Sequence, residues 1–153
     1  MYLMRFFFAS LSLVLSAAVA AESAVSLEGA WVRALPPTQP NTAAYLTIKN
    51  GGTESLEIVS ARAAGADRVE FHTTREVDGY VRMEQLATLK LAAGQSLALA
   101  PGGTHLMLLG LNVMPVPGDR VSLCLTLATG PEVCTDASVR KDAGDSVHQH
   151  HHH

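Results

Sequence analysis

Between residues 22 and 140 the sequence is a succession of short runs in which apolar and polar residues alternate, each cut off by turn formers. Alternation with period two puts one set of side chains on each face of a strand, whereas a helix face needs apolar residues three and four apart. Residues 43–49 alternate toward Ile48 and Lys49 and end in Asn50-Gly51-Gly52. A second short strand follows at 56–60, and 68–72 places Val69 and Phe71 on one face. Asp78-Gly79 predicts a tight turn into a strand over 80–86. Further strands are expected at 96–100, 104–109, 121–127 and 133–135, separated by Pro101-Gly102-Gly103, a loop at 115–119 and Thr129-Gly130-Pro131. No convincing helical stripe interrupts the series. Such a series predicts an all-β sandwich or barrel, as a single domain over 21–140.

The two ends differ from this core. Arg5 precedes an apolar run that starts at Phe6 and finishes in Ala18-Val19-Ala20, the pattern of a cleavable signal peptide over 1–20. The run is shorter than the ~20 apolar residues a membrane span requires, so no stable membrane insertion is expected once it is removed. No cysteine follows the small residues, so a lipid-anchored form is not expected. The protein is thus expected to be exported, to a periplasm. At the other end, residues 141–153 contain five of the seven histidines: His148, His150, His151, His152 and His153. With nothing apolar between them this segment packs on no core. It reads as a natural metal-binding tail. An affinity-tag remnant is the competing reading, against which stand the interrupted His run and the retained leader. The whole chain has 11 basic and 14 acidic residues, a net charge of −3. That balance offers no excess cation to neutralise phosphates and excludes a nucleic-acid partner.

With both ends set aside, the core keeps two histidines, His72 and His105, and three methionines, Met83, Met107 and Met114. His105 and Met107 are two apart in an expected strand and share a face, with Leu106 and Leu108 turned to the core. His72 lies opposite Val69 and Phe71. A hairpin at Asp78-Gly79 returns Met83 toward His72, and one further strand leads to His105. Two hairpins would thus converge two imidazoles and two thioethers. Thioethers are soft neutral donors that favour Cu(I), and imidazole accompanies them. They neither protonate nor form disulfides, so they stay available in an oxidising compartment. Calcium and magnesium call for oxygen ligands instead, and a blue-copper site needs a Cys thiolate that has no place beside His105. Met114 lacks a partner at such spacing and reads as packing.

His72, Met83, His105 and Met107 stand in the spacing H-x10-M-x21-H-x-M, and this resembles the periplasmic copper chaperones of the PCuAC type. Trp31-Val32-Arg33, Pro36-Pro37 and Pro40-Asn41-Thr42-Ala43-Ala44-Tyr45 are similar to that family's first block, and residues 102–108 with Gly110-Leu111 and Gly118-Asp119-Arg120-Val121 to its last. The resemblance covers about residues 28–128. It implies a cupredoxin-like Greek-key β-sandwich holding one Cu(I) through His72, Met83, His105 and Met107. It also implies delivery of copper to the binuclear centre of cytochrome c oxidase subunit II, or to other periplasmic acceptors, Sco-type chaperones among them, by a monomer. Met114-Pro115 replaces the family's usual Pro-Leu, which puts Met114 near the site's end of the fold as an auxiliary donor to be considered.

Cys124 and Cys134 flank a turn centred near Thr129 and fall opposite each other in a hairpin of that register, so a structural disulfide is expected, with free redox-active or metal-binding thiols as the alternative. Their spacing is not C-x-x-C, and no Ser-His-Asp set accompanies the core histidines, so an enzyme is not expected. Two other readings stay open: a thiol–disulfide reductase acting through the two cysteines on the oxidase copper-site cysteines, and a β-sandwich module whose sole metal site is the tail.

Overall fold

The computed structural model describes residues 24–144. The leader and the tail histidines lie outside them. All regular structure is strand: β1 (Val25–Arg33), β2 (Thr42–Asn50), β3 (Leu56–Ala63), β4 (Arg68–Val77), β5 (Tyr80–Leu86), β6 (Leu89–Leu91), β7 (Ser96–Leu99), β8 (His105–Leu109), β9 (Arg120–Leu127) and β10 (Glu132–Arg140). They form one sheet in the order β5-β4-β8-β2-β1-β10-β9-β3-β6, with β7 attached to β2. The described residues are therefore all-β in a single domain, as the alternation predicts.

The sheet folds over on itself because β2 is shared. Its first part, Thr42–Ala44, pairs with β8, and its second part, Leu46–Lys49, with β7. The inner surface is the alternate-residue set of each strand: Ala44, Leu46 and Ile48 of β2, Phe71 of β4, Leu106 and Leu108 of β8, Leu123 and Leu125 of β9, Ala137 and Val139 of β10. Asn50, itself buried, ties the end of β2 to the far edge of the sheet. Its side-chain amide donates to the carbonyls of Glu54 (2.8 Å) and Ala92 (3.0 Å), and its oxygen accepts from the amide of Gly52 (3.0 Å).

Strand β1 explains how an aromatic residue reaches the outer face. Leu27 pairs with Ile48, but Trp31 pairs with Tyr45, one residue out of step. The extra residue falls at Gly29, whose φ of +61° suits glycine. The bulge reverses the parity of the strand. Val25 and Leu27 face inward before it, Ala30 and Val32 after it, and Trp31 and Arg33 go outward. Trp31 and Tyr45 are buried yet stand apart from the main core cluster. They form a small aromatic layer on the outer face, with ring centroids 4.5 Å apart.

Two features differ from the sequence expectation. β1 is absent from it because the bulge breaks its alternation, and β6 because three residues carry no period. Two short strands, not one, therefore separate Met83 from His105.

Candidate metal centre

Strand pairing determines which chemistry-bearing residues share the outer face. β4 and β8 are direct antiparallel neighbours with His72 opposite His105 and Glu70 opposite Met107. The convergence is thus produced by these adjacent strands, with β8 inserted between β2 and β4, and not by two separate hairpins. β5 returns along the other edge of β4 through the turn at Asp78-Gly79, where φ is +53° and +78°, the positive pair of a type I′ turn. That register sets Gln85 opposite His72 and Met83 opposite Thr74. Opposed residues point to the same side of a sheet, so His72, Met83, His105 and Met107 all lie on the outer face. Tyr45 continues the row beyond His105, its ring 6.3 Å away.

The four are not equally enclosed. His105 is 3% exposed, beside the aromatic layer. His72 and Met107 are half-buried, and Met83 is 57% exposed on the edge hairpin. Met83 and Met107 are diagonal to His72 in opposite directions along β4, so the two thioethers flank the pair of imidazoles. Met114 is buried, 4% exposed. Cys124 and Cys134 are opposite each other on β9 and β10 and are joined as a disulfide, with Cα atoms 4.0 Å apart. Glu132 comes close to both sulfurs, but a disulfide has no thiolate to offer a metal.

The imidazole nitrogens carry the chemical information. His72 Nε2 is 2.8 Å from Glu70 Oε2, and His105 Nδ1 is 3.0 Å from the carbonyl oxygen of Gly103. A carboxylate and a carbonyl only accept, so each of these nitrogens bears the proton. His72 is then the Nε2–H tautomer and His105 the Nδ1–H tautomer. Their remaining nitrogens, His72 Nδ1 and His105 Nε2, present lone pairs. These two atoms are the buried side-chain nitrogens and oxygens left without a hydrogen-bond partner among the described residues. Buried polar atoms are nearly always paired, so two orphans on neighbouring rings need an explanation. The ring centroids are 6.0 Å apart. Two imidazoles sharing a metal at about 2.1 Å per bond have ring centres roughly 5–6.5 Å apart, so the spacing suits one ion between them.

The electrostatics around the pair are nearly balanced. Glu70 also accepts from Arg68 Nε at 2.9 Å. Its hydrogen bonds to His72 and then to Arg68 hold the carboxyl below its ordinary range. Burial raises Tyr45 above the usual phenol value, partly offset by the Arg33 guanidinium over its ring. Glu70, Gly103 and Tyr45 are site residues missed on reading the sequence. The alternation of Arg68-Val69-Glu70-Phe71-His72 already puts Glu70 on the face of His72; the Gly103 carbonyl has no sequence signal at all.

The outer face of this all-β domain thus carries two imidazoles with flanking thioethers, the donor types that suit a soft metal ion. Residues 25–139 match the LpqE-like family, described as "Putative lipoprotein LpqE-like", and the chain belongs to that family. A relative, "Putative lipoprotein Lxx21020" of Leifsonia xyli subsp. xyli (strain CTCB07), is 33% identical over 107 residues, which are 69% of this chain and 63% of that protein. The chain thus matches a little under two thirds of that relative's length. The fold is similar to that of the copper-bound PCuAC domain from PmoF2, with TM-score 0.65 and 22% identity over 78% of this chain and 95% of that one. It is also similar to the Cu(I) form of DR1885 from Deinococcus radiodurans, with TM-score 0.64 and 30% identity over 81% of this chain and 85% of that one. The cupredoxin-like fold expected from the sequence is the fold observed.

Proposed function

We propose that this protein is an exported copper chaperone of the PCuAC type that captures one Cu(I) through His72, Met83, His105 and Met107 and hands it to an acceptor. The observation that carries the reading is the pair of buried imidazole nitrogens without partners, His72 Nδ1 and His105 Nε2, on rings 6.0 Å apart. A neutral N/S donor set fits a soft monovalent ion, and the Cu(I)-bound structure among the similar folds supports the same assignment.

Transfer follows from the uneven enclosure. His72 and His105 are each fixed through their second nitrogen. Met83 sits exposed on a hairpin whose outer edge pairs with no other strand among the described residues. An incoming thiolate or imidazole meets copper from that side, forms its own bond, and displaces Met83 first. Copper then moves down the affinity gradient to the acceptor, with no electron transferred. The acceptor that the family resemblance favours is the copper centre of cytochrome c oxidase subunit II in the periplasm. The tail histidines His148 and His150 to His153 would gather Cu(II) and raise its local concentration.

The test is a Cu(I) titration of tail-deleted protein against a competing chelator. The parent should bind one equivalent, and the His105→Ala/Met107→Ala variant should lose that site. Parent-like binding by the double variant would refute the assignment. Incubating Cu(I)-loaded protein with the apo copper domain of oxidase subunit II, then measuring copper in each after separation, tests the acceptor.

A further inference from the structure

We infer that Glu70, steadied by Arg68, is the positioning residue that makes His72 a copper donor through Nδ1, while His105 donates through Nε2. The inference rests on the metal-centre reading above and adds the atoms and the residue that selects them. A free histidine side chain interconverts between tautomers and can rotate its ring. Here the ring of His72 has one polar partner, the Glu70 carboxylate at 2.8 Å. That carboxylate is in turn held by Arg68 Nε at 2.9 Å. Glu70 and His72 alternate on the same strand, so the strand itself delivers the carboxylate to the Nε2 edge of the ring.

The two histidines are thereby made unequal. An anionic acceptor on Nε2–H pushes electron density into the ring and makes Nδ1 the more basic donor. The Gly103 carbonyl does the same for His105 more weakly, because it carries no net charge. Arg68, itself largely exposed, offsets the carboxylate charge, so the centre keeps a polarising hydrogen bond without accumulating the negative charge that favours a divalent ion. His72 becomes the firm anchor, and the first ligand to yield during transfer is the exposed thioether of Met83.

Without Glu70, His72 Nε2 loses its partner and the ring populates both tautomers. Loss of such an outer partner typically lowers metal affinity about 10–100-fold. The test uses tail-deleted protein, with Cu(I) competition titration and imidazole nitrogen NMR of the apo and Cu(I) forms. The parent should show His72 as the Nε2–H tautomer, with its Nδ1 resonance moving on copper addition and the Nε2 resonance of His105 moving likewise. Glu70→Leu should bind Cu(I) about 10–100-fold more weakly and lose the single His72 tautomer, leaving the His105 tautomer unchanged. Glu70→Ala substitutes if leucine disturbs folding. Glu70→Gln retains an acceptor oxygen and should restore the tautomer and most of the affinity. Unchanged affinity and tautomer in Glu70→Leu, or copper moving Nε2 of His72, overturns the proposal. The metal-centre reading fails separately, if His72→Ala binds Cu(I) as the parent does.

Discussion

The disulfide between Cys124 and Cys134 separates a structural role from a redox one, and its removal has a calculable cost. The cysteines are ten residues apart in sequence and directly opposed on β9 and β10. Closing a loop of this length in the unfolded chain is worth roughly 2.7 kcal/mol in the chain-entropy treatment. A domain of this size unfolds with an entropy near 0.25 kcal/mol per kelvin, so the loss corresponds to a fall in melting temperature of about 10 °C. Along the sheet the bridge is three strand positions from β8, in the order β8-β2-β1-β10, and no ligand is attached to it. Differential scanning calorimetry and Cu(I) competition on the Cys124→Ala/Cys134→Ala variant check both statements. The variant should melt about 10 °C lower and bind copper with unchanged affinity. Cys124 is buried among β3, β9 and β10, which makes it a poor nucleophile, while Cys134 is exposed, so the variant test decides between the two roles. If instead the melting temperature is unmoved, and the parent, first reduced with dithiothreitol and freed of it, reduces an oxidised copper-site peptide by thiol–disulfide exchange while the variant does not, the reductase reading replaces the structural one.

Three further outcomes are expected. Gly110 has φ +68°, and a Cβ there would run into the Asp67 carboxylate; Gly110→Ala should destabilise the fold by about 1–3 kcal/mol in denaturant titration. Ile48 is fully buried, and Ile48→Ala should cost about 2–5 kcal/mol in the same assay. Glu132 is held below its ordinary carboxyl range by its hydrogen bonds to Arg62. Its contribution is therefore complete above pH 4.5 and lost as the pH falls through the folded value. Thermal melts should show parent and Glu132→Gln converging toward pH 3, and a gap that widens in acid would contradict the pairing.

Much of this was legible in the sequence, and the exceptions have physical causes. The faces of β4 and β8 follow from period two, so the placement of His72 opposite Val69 and Phe71, and of His105 and Met107 opposite Leu106 and Leu108, could be read directly. The Asp78-Gly79 turn fixed the return of Met83. Strand neighbours could not be read. That β8 inserts between β2 and β4, and so sets His72 against His105, depends on long-range pairing. β1 was hidden because Gly29 shifts its alternation midway, and that shift is what sends Trp31 outward. Glu70 was visible on the right face, but a carboxylate beside a histidine has a meaning only once the ring's other nitrogen is known to be buried and unpaired.

The division of the centre between rigid and mobile parts follows from how each donor is attached. His105 lies in a strand flanked on both sides, with its ring against Tyr45 and its Nδ1–H on the Gly103 carbonyl. His72 is on the neighbouring strand with Glu70 as its second contact. If these two residues are copper donors, as proposed, they are organised before copper arrives, and little ordering entropy would be lost at them on binding. Met83 is different. It lies on β5, which among the described residues pairs with β4 alone, and it is largely exposed to water. Drawing it onto the ion requires the hairpin to move or the side chain to order, and that cost subtracts from the affinity. A site built to retain copper would have every donor preorganised. A site that must give copper up gains from one donor whose attachment costs free energy, because an acceptor that replaces that donor recovers the cost. On the proposed reading, the exposure of Met83 beside the enclosure of His105 is what a carrier needs, and the first bond exchanged would lie on the hairpin edge.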